Sequence, residues 1–316
     1  MDRVKAPRDP STFQSSQNAG NPKASDAEIA ALKAHPQFPE ACRQAAVSVI
    51  TLYRGNRLVN ALMNDRGRSA IIFLALYLHH QWRAEDPRSG LTMSRLKSIC
   101  ADQNIGSPGR IETFVMLMRM FGVLKHMPSP ADQRVRRLAP TERLTAMLYE
   151  RWRGLLDAMT PVMPEAATIS AGLADETFAR GLVRRLGEDF LAGKRPLEDR
   201  RARELFGDRN AGVMIALSLI TAGGPGAFPP HNPVAVSISA LARQFGVSRV
   251  HVRKLLRDAA DAGYIRRATT DGAMIDLLPP LHAAVESFFT NAILMMRDSA
   301  RGAKAEHEPR QSIATA

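Results

Sequence analysis

Aromatic residues are scarce in this chain, only 6% of its 316 residues. A core with so few rings must rest on Leu, Ile, Val, Met and Ala, a mix that favours helices over sheets. Cysteine is scarcer still. Cys42 and Cys100 lie far apart and outside any Cys-x-x-Cys pair, which excludes a disulfide framework. They read as small buried hydrophobes, with an oxidant-sensing role for Cys100 as the alternative. Long apolar runs are also missing. Ala70 to Leu78 and Ala211 to Ile220 are too short to span a bilayer, and Met1 to Lys5 opens no signal peptide, so a cytoplasmic location is expected. Gly223-Gly224-Pro225-Gly226 lacks the Lys-Ser/Thr of a nucleotide loop and reads as a turn. None of His35, His79, His80, His126, His231, His251, His282 and His307 stands at a metal-ligand spacing. With no nucleophile–base constellation visible, no metal, no cofactor and no enzymatic activity are expected. Acidic residues are few beside the basic ones, 31 against 43, leaving a formal net charge of +12.

That excess of positive charge attracts polyanions, of which nucleic acid is the commonest. Hydrophobic residues make up 45% of the chain, and its length suits two domains with tails. Residues 1–25 are rich in Pro, Ser, Asn, Gln and charge and are expected to be a disordered basic tail. Residues 300–316 are expected to be a second disordered tail. A Pro- and Ala-rich stretch, 161–174, reads as a linker between units at 26–160 and 175–299.

The strongest feature is an internal repeat with a period of about 140 residues. Arg68, Ala70, Ala75, Leu76 and Leu78 recur as Arg209, Ala211, Ala216, Leu217 and Leu219, each set on an apolar, core-type helix. A helix-turn-helix follows in both copies. In the second, Leu241-Ala-Arg-Gln-Phe-Gly246-Val-Ser248 places a left-handed glycine and an N-cap serine ahead of Arg249-Val-His251-Val-Arg253-Lys254. In the first, Ser107 is the N-cap and Pro108 the first helical residue, followed by Arg110 and Thr113. Gly122 and Gly263 then close these helices and short strands begin. Return strands are expected at Val135 to Leu138 and Met274 to Leu277, the second after an Asp271-Gly272 turn. Arg134, Arg136 and Arg137 decorate the first hairpin, and Arg266 and Arg267 open the second. A long amphipathic helix ends each copy. Leu144, Leu148, Trp152, Leu155, Leu156 and Met159 have the spacing of Leu281, Val285, Phe289, Ala292, Ile293 and Met296, and each stripe is expected to pack on the opposite unit.

The fold class expected is therefore mainly α with small β-hairpin wings, as two winged helix-turn-helix units related by the repeat. Each unit resembles a MarR-type module, with Asp132-Gln-Arg134 similar to that family's wing tip and Leu138-Ala-Pro140-Thr141 to its exit into the last helix. The second helix-turn-helix also resembles that of the GntR family. The resemblance covers most of residues 45–298. It implies a sequence-specific double-stranded DNA-binding transcription regulator of bacterial type, a pseudo-dimer within one chain, and it admits a small-molecule effector, although no residue identifies one. Two such heads would address half-sites roughly 34 Å apart. The DNA-binding set comprises Ser107, Arg110, Thr113, Arg134, Arg136, Arg137, Ser248, Arg249, His251, Arg253, Lys254, Arg266 and Arg267. Basic residues here would neutralise phosphates, and Arg249 or Arg253 could read a guanine. The heads differ, and the first offers fewer bases. Simpler readings remain: a solvated face for Arg253 and Lys254, a spectator His251, a surface ion pair for Arg134 with Asp132. Alternative functions are a plasmid-type replication initiator and a winged-helix protein-interaction module.

Overall fold

The computed structural model describes residues 24–86, 89–127, 137–226, 228–230, 233–269 and 273–314, from 305 onward as backbone alone. The chain is mainly helical, with two small antiparallel sheets. Its first half runs α1 (Asp26–Ala34), α2 (Phe38–Tyr53), α3 (Arg57–Met63), α4 (Arg66–His80), α5 (Met93–Asp102), α6 (Pro108–Met120), β1 (Leu124–Met127), β2 (Arg137–Pro140) and α7 (Glu142–Met159). After α8 (Glu165–Gly172) come α9 (Glu176–Leu191), α10 (Arg200–Ala202) continued by a π-turn at Arg203–Gly207, and α11 (Gly212–Ile220). The chain ends with β3 (Val234–Ala235), α12 (Ile238–Phe245), α13 (Arg249–Asp261), β4 (Ile265–Arg267), β5 (Met274–Leu277) and α14 (Pro279–Ala314).

The helix starts follow from their caps. Ser25, Asn56, Asp65, Thr92, Ser107, Asp175, Ser237 and Ser248 each accept a hydrogen bond from a first-turn backbone N–H that the helix cannot satisfy itself. In the first sheet β1 pairs with β2, Leu124 opposite Pro140 and Met127 opposite Arg137. The described return strand runs on to Pro140, two residues beyond the expected end at Leu138, while Val135 and Arg136 lie outside the described residues. Leu91 and Thr92 reach the outer edge of β2, where Leu138 donates its N–H to the Leu91 carbonyl. The second sheet has the order β3-β5-β4.

The apolar stripes are where periodicity put them, but their main partners are not. α7 packs chiefly along α2, and α14 along α9, so each long helix lies on its own half. The halves meet through α4 against α9, α11 against α2, and a smaller contact of α14 with α7 and α2. Small residues permit these approaches. A Cβ at Gly187 on α9 would sit 2.1 Å from the Tyr77 ring on α4, and one at Gly181 would sit 3.0 Å from Ala303 on α14. Two expectations about segments also change. Within 161–174 the chain forms α8, which buries Ala166 and Ile169 against α7 and α14. Beyond residue 299 the chain continues α14 to Ala314, with Ala300 and Ala303 buried. Residues 1–23 lie outside the described residues.

The last turn of α4 carries a testable pH dependence. His80 is half-buried, and among the described residues neither its Nε2 nor Nδ1 of the adjacent His79 has a hydrogen-bond partner. Burial, then the neighbouring charges of His79 and Arg180, pull the His80 pKa from 6.5 down to about 4, with Glu176 opposing. Helix C-termini favour a charged histidine, and burial overrides that preference here. The folded state holds the neutral ring, so its stabilising contribution is complete above pH 6.5 and is lost as pH falls toward 4. Urea unfolding is expected to show a stability loss of up to about 3 kcal/mol across that window. A His80→Leu variant should reduce it, leaving the share of His79, whose pKa burial also lowers; an unchanged slope would contradict this assignment.

Candidate nucleic-acid interface

The helix α13 carries Arg249, Arg253, Lys254 and Arg257. Gly246, at φ +66°, ends α12 in the left-handed region that a Cβ disfavours, and Val247 donates its N–H back to the Ala242 carbonyl. Ser248 then caps α13 by accepting the N–H of His251 at 3.1 Å. Val252, Leu255, Leu256 and Ala259 bury one face of the helix. Arg249, Val250, Arg253, Lys254 and Arg257 are left exposed on the others. Among the described residues neither Arg249 nor Arg253 has a carboxylate partner. Asp258 instead gathers Arg209 at 2.5 Å, Lys254 at 3.5 Å and Arg257 at 3.9 Å. The Arg209 hydrogen bond is the main reason its carboxyl titrates below the usual range. His251 is not a free side chain: its Nε2 lies 2.8 Å from the Asn210 carbonyl and fixes α13 to the entrance of α11.

The hairpin beside α13 supplies Arg266 and Arg267. Arg266 holds Asp276 across the strands at 2.9 Å, while Arg267 is exposed and has no ion pair among the described residues. Arg249, Arg253 and Arg267 thus stand on α13 and its hairpin with no carboxylate partner among the described residues, as does the exposed Arg243 on α12.

The corresponding face of the first half has less to offer. Ser107 caps α6 through the Arg110 N–H. The Arg110 guanidinium lies 3.9 Å from Asp65, and the Thr113 hydroxyl donates to the Gly109 carbonyl of its own helix at 2.9 Å. Glu112 pairs with Lys97. Further along, Met116 and Met120 are 61% and 77% exposed, so the outer face turns apolar. Arg137 is not a solvated cation. Its guanidinium lies 4.3 Å from the centroid of the Trp82 ring, its Nε is buried without a partner among the described residues, and burial lowers its pKa. Arg134 and Arg136, with Asp132, lie outside the described residues.

Sequence reasoning passed over Val250, which is 71% exposed one residue into α13, and Arg257, one turn beyond Arg253. Helical spacing would have found the second. It also passed over Arg209, whose role depends on a contact 49 residues distant. Both cysteines are buried, and burial raises both thiol pKa values, that of Cys100 to about 11, so neither is an activated thiolate. No group of three or more His, Cys, Asp or Glu that could hold a metal occurs among the described residues. No helix among them is long and apolar enough to cross a membrane. The chain matches no family model, no curated protein and no solved structure.

Proposed function

We propose that this protein is a sequence-specific double-stranded DNA-binding transcription regulator. It comprises two winged helix-turn-helix units in one chain, related by an internal repeat. The order α5, α6, β1, β2, α7 has its counterpart in α12, α13, β4, β5, α14. Helices α6 and α13 each have 13 residues and a serine cap, and Gly122 and Gly263 follow them at φ +68° and +79°. The contacts α4 with α9 and α11 with α2 are reciprocal between halves, as the two-fold pairing of such units requires.

The observation that carries the reading is the outer face of α13. Two arginines without carboxylate partners, one helical turn apart, follow a capped turn and flank an exposed apolar side chain at Val250. An α-helix with that face fits a major groove, where arginine takes the N7 and O6 of guanine and an apolar group can meet a thymine methyl. Arg267 on the hairpin, exposed and without an ion pair among the described residues, would meet phosphate. The first head, in which Arg110 faces Asp65, Lys97 pairs with Glu112 and Arg137 stacks on Trp82, binds more weakly, so the site read is asymmetric.

Selection from a pool of random duplexes tests this. One enriched, asymmetric motif is expected. Arg253→Ala should broaden the motif at one position, whereas Arg267→Ala should weaken all sequences by a similar factor and lower the salt slope by about 1. Recovery of no motif from the pool would count against sequence-specific regulation.

A further inference from the structure

The turn that leads into α13 is backed by the other half of the chain. Asn64, the residue after α3, is buried, and its Nδ2 donates to the Phe245 carbonyl at 3.1 Å, across 181 residues of sequence. Its own carbonyl accepts the Ala211 N–H at 2.7 Å, at the entrance of α11. One turn earlier, α3 touches the turn itself: a Cβ at Gly246 would lie 4.0 Å from the Asn60 Cβ. The start of α3 is held in its turn to the end of α2. Asn56 caps it by accepting the Val59 N–H at 3.1 Å, and Asn60 Nδ2 donates to the Tyr53 carbonyl at 2.7 Å and to the Asn56 carbonyl at 3.0 Å. The α2–α3 corner of the first half is therefore fixed beside the α12–α13 turn of the second.

This corner brings positive charge alone. The chain has no Asp or Glu from Ala41 to Asn64, and none from Arg209 to Arg257. Those two stretches are the ones that meet at Gly246. On the first, Arg54 follows α2 and Arg57 opens α3, one turn before Asn60. On the second, Arg243 stands on α12 three residues before Gly246, and Arg249 opens α13 three residues after it. All four arginines are exposed, and none has a carboxylate partner among the described residues. The acids that bracket the two stretches are engaged elsewhere: Glu40 with Arg43, Asp65 with Arg68, Asp208 with Arg66 and Asp258 with Arg209. Like charges gathered on one surface from segments distant in sequence repel one another. A polyanion laid along them relieves that repulsion, and a duplex backbone offers its charges in such a row.

We propose that the first half completes the duplex surface of the second head: Arg54 and Arg57 of the α2–α3 corner meet backbone phosphates beside the groove that α13 enters. This rests on the reading of α13 as a DNA-binding helix. The footprint of that head then extends past its own helix-turn-helix and hairpin, on the side of the α12–α13 turn. The two added contacts position the head and carry no sequence information of their own.

The test is duplex binding by the full chain as salt is raised from about 50 to 200 mM. The parent is compared with Arg54→Gln/Arg57→Gln and with Lys33→Gln/Lys304→Gln, which removes the same charge from exposed positions on α1 and α14. At about 0.9 per phosphate contact, the arginine pair should make the log–log slope of affinity against salt shallower by about 2. The lysine pair should leave the slope unchanged, and Arg54→Lys/Arg57→Lys should restore it. Thermal unfolding should stay the same in every variant, because the replaced side chains are exposed. The motif enriched from random duplexes should also be the same with and without the two arginines. Hydroxyl-radical cleavage of that duplex should show protection lost only in the backbone flanking the motif on one side. A parent-like slope in the arginine variant, or an equal loss in the lysine variant, would overturn the shared surface and leave the reading of α13 standing. No duplex binding by the parent at the low-salt end would overturn both.

Discussion

Replacing Arg249 and Arg253 together with alanine is expected to remove about 2–6 kcal/mol of sequence-specific duplex binding, at about 1–3 kcal/mol for each bidentate arginine–guanine contact. The two side chains lie one turn apart on the exposed face of α13, so their effects need not add strictly. Neither is held by a carboxylate among the described residues, and both are free to meet base edges without breaking an internal pair. Ser248 still caps the helix in the double variant, and alanine is the better helix former. Thermal unfolding should therefore be unchanged, which separates lost recognition from lost fold. Lys254→Ala is the control. Its ammonium already shares Asp258 with Arg209 and Arg257, so its removal should cost less. Equal losses for Lys254→Ala and for the double variant would mean that α13 contributes only diffuse charge.

Gly187→Leu is expected to destabilise the protein by about 3 kcal/mol or more, at the upper end for overpacked sites. The position lies where α9 crosses α4. Even a Cβ there would come within 2.1 Å of Cδ2 and 2.5 Å of Cε2 of Tyr77, whose ring is buried and cannot swing away into solvent. A leucine forces the two helices apart, and with them the halves. The corresponding lock within the first half is Gly154, whose Cβ would meet the Ser48 side chain of α2. Urea unfolding followed by circular dichroism measures the effect. Gly109→Ala serves as comparison, since a Cβ there meets nothing within 4 Å on exposed helix, and it should leave stability unchanged or slightly raised. A Gly187→Leu protein as stable as the parent would show that the halves are not joined at this crossing.

Local signals were legible in the sequence wherever one residue decides a local conformation. Ser107 and Ser248 cap as expected, Pro108 opens α6, and Gly246 turns left-handed, because each depends on the few residues around it. The apolar stripes of α7 and α14 were legible for the same reason. Periodicity says that a helix has a buried face, but not which helix covers it. The signal for the partner was the small residues, Gly154, Gly181 and Gly187, which mark where backbones come close. The 161–174 segment read as a linker because Pro and Ala dominate its composition, yet Ala166 and Ile169 are enough to seat a short helix in an existing groove. At the candidate interface, residue types and caps were legible but charge balance was not. Whether Arg137 is free for phosphate depends on Trp82, and whether His251 is free depends on the Asn210 carbonyl. Both contacts are set by how elements distant in sequence pack together.

The most direct measurement of the central claim is fluorescence anisotropy of the full chain with a short labelled duplex of mixed sequence, as salt is raised from about 50 to 200 mM. A head that works through unpaired arginines should bind at the low end and lose affinity linearly in log–log form, with a steeper slope than the Arg249→Ala/Arg253→Ala protein shows. No binding at the low-salt end, or the same slope in both proteins, would mean that α13 is not the element that meets DNA.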